Sequence, residues 1–307
     1  MLTADRLPEI TDQMDPADKQ YLFKMGNYGF RAYDQVRDEE AVCKLCWSNA
    51  LPGGRPFPLI PEAGAVSFGR IVTGPFAQYA GEYFYVVDAV STKEVVGYLT
   101  GAEGSDVQTK KGAVPWMQWR DECAQQIAEK EFGEISFKLY LPMLGYLESR
   151  KFLYTLSLGG RAVQFLLHAK INNSKEMPRA PACPEYHFHV KQGHRRQGIG
   201  SKLIEHFLGQ FPNKKKYRKI CAQVTVCDGH KSLEYYTGQT YQGKRVWRVY
   251  DKKETAMYSA SEKKAWGLGP VVENVSLLAD RKRLLAYVKQ ARPVEASAAV
   301  AVSDPHA

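Results

Sequence analysis

The run Arg195-Arg196-Gln197-Gly198-Ile199-Gly200 places two arginines ahead of two glycines, with a helical pattern behind them. That combination suits an anion. Glycine lets the backbone approach a ligand closely, while the unpaired N–H groups of a helix's first turn and its dipole concentrate positive potential there. The arginines add charge for phosphate. No Gly-Lys-Ser/Thr closes the run, and only two of the dinucleotide fingerprint's three glycines are present, so neither motif is indicated. Just upstream, His187 and His189 alternate with Tyr186 and Phe188. In a strand the two histidines share one face, and histidine titrates near neutrality, as a proton acceptor in transfer chemistry must. The same His-x-His spacing offers two metal ligands, with Cys183 nearby. No third or fourth ligand is apparent, so no metal is expected. Cys43-x-x-Cys46 has the spacing of a zinc or redox half-motif, but it has no second pair and lies in a helical stretch beside Trp47. It reads as helix packing.

These residues need elements to hold them. Residues 185–190 read as a strand, 201–208 as a helix, 220–226 as a strand and 230–237 as a short helix. Upstream, 28–33 reads as an aromatic strand, followed by a helix through about residue 49 with Asp38 as its N-cap. Residues 83–90 and 94–99 form a hairpin around Ser91-Thr92-Lys93. Between 104 and 182 the pattern is irregular, with a helix near 120–131 and further apolar stretches near 137–147 and 162–171, and is read as a helical insertion. Residues 245–250 and 255–259 read as a closing hairpin. Residues 274–290, with Leu277, Leu278, Leu284, Leu285 and Val288 at helical spacing, read as a docked C-terminal helix. A disordered, alanine-rich tail covers 293–307.

The chain has 307 residues, 44% hydrophobic and 24% charged, a composition for a folded core and not for disorder. Its formal charge of +9 favours an anionic ligand or partner. Six scattered cysteines suit a reducing compartment. The N-terminus has acids and prolines where a signal peptide needs an apolar core, and no apolar run reaches the about 18 residues of a membrane span. A cytoplasmic protein without membrane association is expected, as monomer or homodimer. The basic run Lys214-Lys215-Lys216-Tyr217-Arg218-Lys219 and the cluster Arg281-Lys282-Arg283 are read as solvated surface, so nucleic acid is not an expected partner.

The Arg-x-x-Gly-x-Gly pattern at 195–200, together with the order strand-helix, hairpin, strand-loop-helix, strand, helix and hairpin, resembles the GNAT superfamily of acyl-CoA N-acyltransferases. Two further stretches, Val72-Thr73-Gly74-Pro75-Phe76 and Val95-Val96-Gly97-Tyr98-Leu99-Thr100-Gly101-Ala102, resemble a subgroup similar to the acetyltransferase-like domain of some O-GlcNAc hydrolases. The resemblance covers about 28–101 and 183–259. It implies an α/β (α+β) fold, with a mixed, mostly antiparallel central sheet splayed at its fourth and fifth strands and flanked by helices. The implied domains are an extension over 1–27, the acyltransferase domain over 28–260 with its insertion at 104–182, a C-terminal helix over 261–292, and the tail.

The resemblance also assigns roles. Acetyl-CoA or another acyl-CoA is the implied cosubstrate. Phe188, Val190, Lys191 and Gln192 would meet its pantetheine arm, and Arg195, Arg196, Gln197, Gly198, Ile199, Gly200 and Ser201 its pyrophosphate. Tyr236, with Tyr235 as fallback, would protonate the departing thiolate. The superfamily's usual asparagine seven residues earlier is Gly229 here. His189 and His187 are the candidate bases, and Glu185 and Glu103 the carboxylate alternatives. The implied reaction is direct acyl transfer to a primary amine, a small molecule in preference to a protein lysine. The alternative is a catalytically degenerate module that binds acyl-CoA or acceptor without turnover. The acceptor would be chosen by 52–80 and 104–182, where Trp116, Trp119, Phe137, Tyr140 and Tyr146 offer either a pocket lining or core.

Overall fold

The computed structural model describes residues 20–290, apart from 52–53, 57–59, 61, 111, 144–181, 213, 228–231 and 255–259. Strands β1 (Phe23–Met25) and β2 (Tyr28–Ala32) lead into helix α1 (Gln35–Ser48). The α1 cap is Asp34 and not Asp38: Asp34 is extended, and its carboxylate accepts the N–H groups of Val36 and Arg37 at 2.9 and 3.2 Å. Asp38 lies one turn further on. Its buried carboxylate accepts the Asp34 N–H at 2.8 Å and takes the Arg31 guanidinium at 2.6 and 2.8 Å. Arg31 also grips Asp88 at 2.8 and 2.9 Å.

Helix α2 (Ala65–Tyr79) crosses α1 closely, for a Cβ added at Gly69 would fall 2.2 Å from the Cys43 Cα. Only glycine permits that approach. The hairpin of β3 (Phe84–Ala89) and β4 (Glu94–Ala102) follows as expected. A small hairpin of β5 (Val107–Thr109) and β6 (Gly112–Val114) then precedes α3 (Trp116–Met143). The helix expected near 120–131 runs on without a break into the apolar stretch near 137–147, as far as Met143. The third, near 162–171, lies outside the described residues, as does the tail.

The second half supplies β7 (Glu185–Val190), α4 (Ile199–Gly209), β8 (Lys219–Cys227), α5 (Ser232–Thr237), β9 (Thr240–Tyr241), β10 (Lys244–Arg245), β11 (Trp247–Glu254), α6 (Ala260–Ala265), β12 (Val272–Asp280) and α7 (Arg281–Gln290). Eight strands make one sheet in the order β1-β2-β3-β4-β7-β8-β12-β11. Every pairing in it is antiparallel except β7 with β8. Alternation splits the side chains between two cores. Phe84, Val86 and Tyr98 meet Val42, Leu45 and Cys46 of α1 and Phe68 of α2. Val87, Leu99, Tyr186 and Leu277 meet Leu203 and Phe207 of α4 and Leu284 and Val288 of α7. The fold is the mixed, mostly antiparallel, helix-flanked sheet that the sequence implied.

The closing elements differ from expectation. The helix read over 274–290 begins only at Arg281, and residues 272–280 form β12, inserted between β8 and β11. A strand deep in a sheet is buried on both faces, so its apolar residues run together and do not alternate. Leu277 and Leu278 are both buried, on opposite faces, and this mimics helical spacing. The expected partner of β11, residues 255–259, lies outside the described residues. The strand that β11 does pair with is β12.

Candidate functional site

The site grows from a parting of strands. β7 is paired with β4 along its whole length, from Ala102↔Glu185 to Gly97↔Val190. With β8 it shares only the register point Glu185↔Cys221, beside a bond from the Cys221 N–H to the Pro184 carbonyl at 2.8 Å. Beyond that point, the β7 edge facing β8 has no strand partner among the described residues. Hydrogen-bonding backbone therefore lines a gap that runs through the sheet.

The loop after β7 opens onto that gap. The Lys191 N–H bonds the Val96 carbonyl at 2.8 Å, and a single 3-10 turn spans Gln192–His194. Arg196 and Gly198 then take left-handed backbone, with φ of 63° and 80°. Gly198 caps α4 with no side-chain cap hydrogen bond among the described residues, which leaves first-turn N–H donors for an anion. A Cβ at Gly200 would stand 3.0 Å from the Phe188 ring, so the helix start lies tightly on the strand. Lys191, Gln192, Arg196 and Gln197 are exposed, Ser201 is half-buried, and Val190 and Ile199 are buried beneath.

Two of the expected cofactor-binding residues, one for the pyrophosphate and one for the pantetheine arm, have partners within the fold. The Arg195 guanidinium bonds the Val190 carbonyl at 3.0 Å and Asn49 Oδ1 at the end of α1, so it ties helix to loop. The Lys191 ammonium pairs with Glu94. Arg196 is the arginine left exposed in the loop. Tyr28 was not among the residues expected at the loop; its hydroxyl donates to Gln197 Oε1 at 2.9 Å and lies 3.1 Å from His194 Nδ1.

His187 and His189 do share a face, with ring centroids 4.7 Å apart. The register sets them opposite Thr100 and Tyr98. The Tyr98 hydroxyl lies 3.2 Å from His187 Nδ1, and Cys46 arrives from α1, so that the ligand atoms of Cys46, His187 and His189 all fall within 4.8 Å of one another. Cys46 and Tyr98 are the members of this cluster that sequence reasoning missed. Burial, with Arg120 adding to it, lowers His187 to about 4. Burial, His187 and Arg195 push His189 well below its ordinary value. Both imidazoles are therefore neutral at pH 7. Burial raises the Cys46 thiol to about 12, against a hydrogen bond with Tyr98.

The carboxylate alternatives are spoken for. Glu185 is buried and accepts from Trp116 Nε1 at 2.9 Å and from Arg120 at 2.8 Å. Burial would raise Glu103, but bonds from Tyr217 and Tyr83, each 3.0 Å, with Lys216 beside them, hold it below the usual carboxylate range. Tyr236 packs edge-on against Trp247 at 5.9 Å, in the core that contains Tyr186, on the sheet face opposite the histidines. A ligand threaded through the gap can meet both faces. The Tyr235 side chain and Gly229 lie outside the described residues.

From the expected insertion, Trp116 stacks on Tyr79 with centroids 5.0 Å apart, and Trp119 lies tilted against the same ring at 5.3 Å. Trp116 is core. The side chains of Phe137 and Tyr140, and all of Tyr146, lie outside the described residues. Across the gap, the histidine face continues as polar side chains. Arg120 reaches Gln223 at 3.2 Å, and Thr225 donates to Asn274 at 2.9 Å. Polar residues inside two otherwise apolar strands were the signal available in the sequence. Among the described residues, no helix is long and apolar enough to cross a membrane.

Residues 113–240 match the acetyltransferase (GNAT) family, a segment that includes β7, the glycine loop and α4, and the resemblance read from the loop holds there. No curated protein matches the chain. Among solved structures, one described as SsHAT is 15% identical, with 83% of this chain and 98% of that one covered and a TM-score of 0.41. The ribosomal-protein-S5-alanine acetyltransferase from Vibrio fischeri is 8% identical, with coverages of 84% and 96% and a TM-score of 0.37. The GphF GNAT-like decarboxylase in complex with isobutyryl-CoA is 12% identical, with coverages of 82% and 98% and a TM-score of 0.36.

Proposed function

We propose that this chain, whose residues 113–240 match the acetyltransferase (GNAT) family, moves an acyl group, acetyl in the first instance, from acyl-CoA to a primary amine by direct transfer in a ternary complex. The observation that carries this reading is the parting of β7 from β8 beside the left-handed Gly198 cap of α4. The free β7 edge can pair with the amides of a pantetheine arm, and the α4 N-terminus with Arg196 can hold a pyrophosphate. A backbone N–H of β7 polarises the thioester carbonyl. His189 and His187, neutral at pH 7, offer lone pairs to the amine's proton. Tyr236, on the far face of the gap, returns a proton to the thiolate as it leaves.

The acceptor side is the histidine face, walled by Gln223, Thr225, Asn274 and Arg120. Such a lining suits a small polar amine. Calorimetry with acetyl-CoA, and thiol release across an amine panel, test the reading. Gly198→Glu should abolish acetyl-CoA binding, because a carboxylate and a strained backbone would fill the anion cradle; unchanged affinity would refute the loop assignment. One observation favours a second reading, a binding module without turnover. Glu185 is consumed in an ion pair and burial weakens His187 as a base. Tight coenzyme A binding with no thiol release from any amine would select it.

A further inference from the structure

We propose that Cys46, His187 and His189 form a three-ligand site for a zinc-class divalent ion, open at its fourth position toward the acceptor cleft. The proposal stands apart from acyl transfer, since it rests on donor chemistry and placement alone.

One thiol and two imidazoles are a donor set that favours zinc over magnesium or calcium. Their ligand atoms already lie within 4.8 Å of one another. Tetrahedral zinc with bonds of about 2.0–2.3 Å needs donors about 3.3–3.6 Å apart, a contraction that side-chain rotation can supply. The elements beneath are rigid. Cys46 sits on α1, locked against α2 where Gly69 meets Cys43, and the histidines stand on β7 in the middle of the sheet.

The surroundings resemble the support that metal ligands need. Tyr98 lies 3.2 Å from His187 Nδ1, which leaves Nε2 for the ion and fixes the ring. Thr100, opposite His187 in the register, is fully buried, and its hydroxyl has no hydrogen-bond partner among the described residues. It is placed on the histidine face, where a metal-bound water would need an acceptor. Arg120 beside His187 does not oppose the ion with a bare charge, because Glu185 and Asp121 each hold it at 2.8 Å.

Binding balances simply. Zn2+ displaces the Cys46 thiol proton, which goes to solvent, and the two imidazoles coordinate as neutral ligands. An ion that occupies both lone pairs prevents the histidines from accepting a proton, so zinc and the proposed base role exclude each other. On the acyltransferase reading, zinc inhibits.

The test uses the full chain and Co2+ as a spectroscopic probe. One Co2+ per chain, with thiolate-to-metal absorption in the near ultraviolet and tetrahedral bands in the visible, is expected. Cys46→Ser should remove the near-ultraviolet absorption, His189→Ala should weaken binding at least tenfold, and Cys43→Ser should leave both intact. X-ray absorption of the wild-type zinc protein, which needs no variant, should show one sulfur and two imidazole nitrogens. Absence of a cobalt spectrum in the wild type, a spectrum unchanged by Cys46→Ser, or a zinc shell without sulfur would each overturn the proposal. None of these readouts depends on acyl-CoA, so the site and the enzymatic reading can fail separately.

Discussion

The residues of the glycine loop divide into those that face a ligand and those that hold the loop. Arg195 and Arg196 are adjacent and identical in type, yet one is spent on Val190 and Asn49 while the other is exposed on left-handed backbone. A short motif cannot separate them, because the difference lies in the distant α1. A second residue-scale consequence concerns His206, wedged against Phe23 and Tyr85 with centroids 5.4 and 4.6 Å away. Burial lowers its pKa below the ordinary 6.5. The folded state therefore favours the neutral ring, and the unfolded chain binds more protons as pH falls below that value. Stability should be level above about pH 6.5 and decline beneath it, and His206→Phe should make that decline shallower. Thermal melts from pH 8 to 5 measure both. An identical decline in the variant would show that His206 does not contribute.

At the scale of elements, β2, β3 and α1 are joined by ions and not only by apolar contact. Arg31 is 3% exposed and binds two fully buried carboxylates, Asp38 and Asp88. Removing one partner of a buried pair leaves an uncompensated charge, which costs about 3–5 kcal/mol. Asp88→Ala should lower the unfolding free energy by that amount in urea titration; a loss below about 1 kcal/mol, typical of exposed pairs, would contradict the buried network. The strand β2 also reaches the loop through Tyr28. Tyr28→Phe deletes a hydroxyl that steadies Gln197 and His194, worth about 1 kcal/mol and hence about a fivefold weaker acetyl-CoA affinity, with little change in melting temperature. Calorimetry showing wild-type affinity would mean that the loop holds its shape unaided.

The whole molecule depends on its C-terminal segment. A docked terminal helix could be removed with modest loss, but β12 lies between β8 and β11 and buries Val272, Val275, Leu277 and Leu278. A chain ended at Pro270 should lose cooperative unfolding altogether, because β8 would become a bare apolar edge and β11 would have no sheet to join. A sharp melting transition in that truncation would disprove the central placement. The sheet's most consequential feature, the parallel neighbour that touches β7 at one register point and then leaves it, belongs to this scale too.

Much of this was legible in the sequence. The glycine loop, the shared face of His187 and His189, the β3–β4 hairpin and the apolar stripe of α4 follow from stereochemistry within a few residues: φ freedom at glycine, alternation in a strand, periodicity in a helix. The order of elements carried the GNAT resemblance. Other features required the tertiary structure. Asp38 reads as the cap of α1 until Arg31 claims its carboxylate and Asp34 takes the capping place. β12 looks helical until neighbours on both faces bury it. Cys46 reads as helix packing until the β4–β7 register brings the histidines beneath it. Local geometry determined what each residue is able to do. Only long-range packing decided which of them meet, since a burial or a contact across the fold depends on partners that no local window of the chain contains.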